Sequence, residues 1–156
     1  MLPSRTRTAI LYGLTLTLAA LWLGALAAAP LLLARGSKAA SLVYAAFSPL
    51  CHQDPARCLR IAGFPLAVCA RCTGVYLGFF LGLLAWPFAG RPARPRLPSA
   101  RTFLAATLPI ALDGAGNALG LWASPPALRF GVGIVWGGLL PFYGLAGLIA
   151  LKREKK

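Results

Sequence analysis

Three of the four cysteines and the single histidine of this 156-residue chain fall in two short pieces, Cys51-His52-Gln53 and Cys69-Ala70-Arg71-Cys72. Thiolates and neutral imidazole are the donors that zinc and similar metals prefer. Cys51, His52, Cys69 and Cys72 therefore form a candidate ligand set for a zinc-like ion, with Cys58 as a substitute for His52. The Cys-x-x-Cys spacing is equally that of a redox dithiol or a local disulfide. The readings differ in geometry. Thiolates on one zinc stand about 4 Å apart, a disulfide draws its sulfurs to about 2.05 Å, and a Cys51 to Cys69 separation beyond about 8 Å excludes a shared metal.

A second polar group lies further along the chain. Asp113 sits near the middle of an apolar run, where an ionisable side chain is costly unless it is paired, neutralised or facing water. Asn117 is one helical turn away, and Arg129 follows the Ser124-Pro125-Pro126 turn. Read with Gln53, Arg57, Arg71 and Tyr76, these residues describe a polar cavity continuous with the thiols, with Arg129 or Arg71 as the basic partner of Asp113. The alternative is that Asp113 is a hydrogen-bonded packing device. Arg57, Arg60, Arg71 and Arg129 also suit an anionic small molecule or a lipid headgroup, since guanidinium matches phosphate and carboxylate. They could equally snorkel toward lipid phosphate.

The elements that must position these residues belong to a membrane. The chain is 58% hydrophobic, with mean hydropathy +0.71, and carries sixteen Lys and Arg against three acidic residues. The basic residues occupy the gaps between apolar runs, so topology explains them and a nucleic-acid partner is not needed. The expected fold is all-α: one domain, 1–156, with four transmembrane helices at about 8–34, 66–90, 102–122 and 129–151. A short interfacial or re-entrant helix over 39–50 delivers Cys51 and His52 to the membrane surface. Pro65 is the expected first turn of the second helix, placing Cys69 and Cys72 on one face with Tyr76 continuing it inward. Gly74, Gly78 and Gly82, then Gly116 with Gly120, and Gly133 with Gly137, have the spacing that lets helices approach closely.

Orientation follows from the basic residues. A cytoplasmic N-terminus puts ten of the sixteen inside (Arg5, Arg7, Arg91, Arg94, Arg96, Arg101, Lys152, Arg153, Lys155, Lys156) and six outside. Both termini are expected in the cytoplasm of an inner-membrane protein, with the basic, proline-stiffened stretch 91–98 as an internal anchor and the thiols in a compartment where disulfides persist. The first apolar run is too long for a signal-peptide core of roughly 7 to 15 residues.

The run Cys51-His52-Gln53, Pro55, Arg57, then Cys69-x-Arg71-Cys72-x-Gly74-Val75-Tyr76-x-Gly78 resembles the signature of a family of small prokaryotic membrane proteins catalogued as a domain of unknown function. Asp113, Asn117 and Arg129 are similar to that family's intramembrane acid, following amide and late arginine. Cys58 stands where the family more often has Ser. The resemblance implies four helices and a common polar site, and it supplies no reaction. Three classes therefore stay open: a structural or transport-related metal site, a thiol-disulfide protein using Cys69 and Cys72, or a binder of anions. The sequence has no nucleotide-binding loop, Ser-His-Asp order or paired carboxylates to support a conventional enzyme.

Overall fold

The computed structural model describes residues 4–88 and 99–154. The basic stretch 91–98, Lys155 and Lys156, used above for orientation, lie outside them. The described chain is helical almost throughout: α1 (Ser4–Ala34), α2 (Ala39–Phe47), α3 (Ala70–Ala85), α4 (Ala100–Ala118) and α5 (Pro126–Glu154). Two short antiparallel strands, β1 (Arg60–Ile61) and β2 (Phe64–Pro65), and single 3-10 turns at Pro55–Arg57 and Trp86–Phe88 complete it. Two stretches of the described residues, Thr8–Ala34 and Ala70–Phe88, are long and apolar enough to cross a bilayer.

α3 and α5 are the most extensively packed pair, α1 packs against α2 and α3, and α4 rests on α5. Glycine is the cause of the close central pair. A Cβ added to Gly74, Gly78 or Gly82 would overlap the carbonyl oxygen of Phe130, Ile134 or Gly138, and one added to Gly133 or Gly137 would overlap that of Arg71 or Val75. Backbones this close replace side-chain interdigitation with direct van der Waals and Cα–H···O contact. The Gly116 and Gly120 pair does something else. Gly116 lies under the Trp122 ring, while Gly120 takes φ 69° and ends α4, with Leu121 N–H donating to Gly116 O at 2.9 Å. This is a helix-terminating motif rather than a helix interface.

Polar bonds tie the remaining helices into place. Tyr12 O–H donates to Leu83 O at 2.9 Å, joining α1 to α3, and Trp136 Nε1–H donates to Thr107 Oγ1 at 3.0 Å, joining α5 to α4. Ser99 caps α4 by accepting from Thr102 N–H at 3.2 Å.

The expected start of the second helix at Pro65 is displaced by a hairpin. Ala62 (φ 51°) and Gly63 (φ 83°) both adopt the left-handed region, which reverses the chain in two residues and pairs Arg60 with Pro65. Leu66, Ala67 and Val68 then run into the core with Leu26, Ala29 and Phe47. α3 starts only at Ala70, with Cys69 as its extended N-cap residue. The short helix predicted over 39–50 is present as α2, ending at Phe47.

Candidate metal centre

Two separate arms bring the thiols together. Cys51 sits in the loop leaving α2, where its N–H still bonds Phe47 O at 3.2 Å. Gln53, at φ 51°, turns that loop and clamps it: its amide nitrogen donates to Tyr44 O at 2.7 Å and to Ala67 O at 2.9 Å. Cys69 and Cys72 arrive on the first turn of α3. The sulfurs of Cys51, Cys69 and Cys72 all lie within 4.8 Å of one another, each partly exposed, above a core cluster to which Cys51, Cys72 and Tyr76 contribute. Tyr76 continues inward from Cys72, in an edge-on ring contact with Trp22 at 5.6 Å.

The spacing suits one thiophilic metal, for which sulfurs about 4 Å apart are needed. All four cysteines are free thiols. Hydrogen bonds from the Cys69 and Cys72 thiols, helped by Cys69 N–H at 3.2 Å, hold the Cys51 thiol well below its ordinary range, the condition that favours a ligating thiolate.

The expected ligand set needs one correction. His52 is exposed and does not join the three sulfurs. The turn at Gln53 gives the inward positions to Cys51 and Gln53. Cys58 is not in the group either. It is 5% exposed, and burial, with the nearby Cys69 and Cys51, pushes its thiol up to about 12.

The second polar group is a closed network. Arg71 donates through Nε to Asp113 Oδ2 at 3.0 Å and through Nη2 to the same oxygen. Asp113 Oδ1 accepts from Ser124 Oγ–H and from Asn117 Nδ2–H, the latter at 2.9 Å. Arg129 donates to Asn117 Oδ1 and, through Nε, to Ser124 O at 2.9 Å. Asp113, Asn117, Arg71 and Arg129 thus meet, with Arg71 as the ion-pair partner. Ser124 was missed as a member, although a Ser before Pro125-Pro126 is a turn residue whose hydroxyl is free to bond inward. Arg57 and Arg60 are engaged within the chain: Arg57 pairs with Asp54 at 2.9 Å and Arg60 donates to Gly63 O at 2.9 Å.

Comparison with known proteins places this arrangement. A protein of Methanocaldococcus jannaschii described as uncharacterised is 38% identical over 101 residues, covering 65% of this chain and 65% of that protein. Another uncharacterised protein, from Methanothermobacter thermautotrophicus, is 33% identical over 91 residues, 58% of this chain and 80% of that one. The chain thus covers slightly less than two thirds of the length of the first. No solved structure matches. A family model described as "Predicted membrane protein (DUF2085)" matches residues 51–143, a stretch that opens on Cys51 and contains both polar groups. The chain belongs to the DUF2085 family of predicted membrane proteins.

Proposed function

We propose that this protein is a multi-pass inner-membrane protein that holds a zinc-like metal ion on Cys51, Cys69 and Cys72 at its outer face. The observation that carries the reading is the convergence of three free sulfurs within 4.8 Å from two independently anchored arms. Three protein ligands leave a fourth position for water or a transported ligand. Open sites of this kind do work, whereas structural zinc sites have four protein ligands. That favours exchange or transport over a purely structural role.

The membrane arrangement that supports this has α1, α3, α4 and α5 as four spans. α4 and α5, of 19 and 29 residues, reach about 28 and 43 Å at about 1.5 Å per residue. The ten-to-six distribution of basic residues supports a topology with both termini in the cytoplasm and the thiols outside. In intact cells, a membrane-impermeant thiol reagent is expected to reach a cysteine introduced at Ser37 and not one at Ser99; the opposite pattern reverses the topology.

Elemental analysis and a thiol count on protein purified in detergent test the metal reading. One metal per chain is expected, lost in Cys72→Ser. A native chain that retains no metal after incubation with zinc overturns it. A second reading, thiol-disulfide exchange, is favoured by the hydrogen bonds that stabilise a thiolate at Cys51. Isolation without reductant distinguishes it, because a Cys69 to Cys72 disulfide would then accumulate.

A further inference from the structure

We infer that the ion pair between Arg71 and Asp113 is a positioning device for the thiol cluster, fixing where Cys69 and Cys72 stand relative to Cys51 by pinning the first turn of α3 to α4. Metal capture at the outer face and the docking of α4 then become linked equilibria. The inference rests on the metal reading for one of its two readouts.

The geometry of one residue carries the argument. Arg71 lies between two of the three thiols in sequence, yet its guanidinium reaches α4, where Nε and Nη2 both grip Asp113 Oδ2. Its Nη1 passes close to Gly114, which a Cβ would bring to 3.8 Å. Its carbonyl oxygen, meanwhile, rests on Gly133 of α5. The residue is therefore held at both ends, and α3's first turn has little freedom to rotate or slide.

The carboxylate that holds it is itself held. Ser124 and Asn117 occupy Asp113 Oδ1, and Arg129 fixes Asn117 in turn, so the anchor has one orientation. Cys51 is anchored separately, through the Gln53 clamp on Tyr44 and Ala67. Two bodies carry the three sulfurs, and their relative placement depends on how firmly each is tied. Contacts that orient the ligating residues without touching the metal change metal affinity by about 10- to 100-fold when removed. Reciprocity requires metal binding to tighten the α3 to α4 contact by the same factor.

The test uses the full chain in detergent, with Co(II) as a spectroscopic probe. Asp113→Asn is expected to weaken Co(II) binding about tenfold or more and to shift its ligand-field bands, with recovery in Asp113→Glu. The metal-free variant should also show altered alkylation rates at Cys69 and Cys72 relative to Cys51. Arg71→Lys, which keeps the charge and loses the two-pronged grip, is read in the same way should Asp113→Asn fail to fold. Native Co(II) affinity and spectrum in a folded variant overturn the inference while leaving the metal reading intact. If the native chain binds no Co(II), the metal reading fails, and unchanged alkylation rates then overturn the positioning role independently.

Discussion

Arg71 belongs to one polar group and the cysteines flanking its motif to another, yet the two groups are built on opposite terms. The sulfurs are partly exposed and bond mainly to one another and to the backbone N–H groups of Cys69 and Gln53. The network behind them is charged and buried, with Asp113 6% and Arg129 4% exposed. Among the described residues, no buried side-chain nitrogen or oxygen lacks a hydrogen-bond partner. A buried charge is tolerable only when its bonding capacity is met, so the network is closed by necessity. The thiols retain unused donor capacity at a reachable surface. The two regions therefore divide the work, one free to take a ligand and the other committed to holding the helices.

The sharpest way to break that division is to remove the single carboxylate. Asp113→Leu leaves Arg71 and Arg129 facing an apolar side chain, and a buried pair broken from one side costs about 3–5 kcal/mol. A lower midpoint of thermal unfolding in detergent is expected. Cys72→Ser should instead leave the metal-free midpoint close to native. If Asp113→Leu were the more stable protein, the network would not be a brace, and the contrast between the two regions would collapse.

How much of each region was legible follows from the same contrast. Asp113, Asn117 and Arg129 could be picked out because an acid in an apolar helix must be answered by something. Arg71 could be named only as one of two possible partners, since sequence does not say which neighbouring helix faces α4. Cys51, Cys69 and Cys72 stood out by residue type. His52 also stood out and was misplaced, because only the turn at Gln53 decides which of two adjacent side chains faces inward. The hairpin was hidden by Pro65, a residue as much at home in a helix's first turn as at a strand edge. The Ala62-Gly63 pair was the signal for it. The Gly74, Gly78 and Gly82 row was read correctly as an interface, while Gly120 looked like part of a similar pair until its positive φ gave it a terminating role.

A smaller perturbation sharpens the comparison by asking whether the open region has a brace of its own. Gln53→Ala removes the two bonds that tie the Cys51 loop to Tyr44 O and Ala67 O. Losing them should cost about 1–3 kcal/mol, less than the carboxylate because both partners are neutral. The local effect is more telling than the stability. Cys51 should be alkylated faster in the metal-free protein, with Cys69 and Cys72 unchanged. If all three rates rose together, the two arms would not be independent, and the clamp would act on the whole connection between α2 and α3.

The smallest effect is expected at Cys58, the one cysteine that shares the connection between α2 and α3 without sharing its openness. It is 5% exposed, and burial first, then the negative charge of nearby Cys69 and Cys51, pushes its thiol up to about 12 from 9.0. A raised value in the folded state means that folding favours the protonated thiol. That contribution is complete below the ordinary thiol range and is lost as pH rises through about 12. Near neutral pH Cys58 should therefore stay unmodified while an alkylating agent reaches the partly exposed Cys51, whose thiol is held low, because thiolate is the reactive form. Cys58→Ser should change neither the metal content nor the reactivity of Cys51, Cys69 and Cys72. Peptide mapping by mass spectrometry reads both outcomes. Modification of Cys58 at the pace of its neighbours would place it on the open side of the comparison, and the site would then be a group of four sulfurs rather than three.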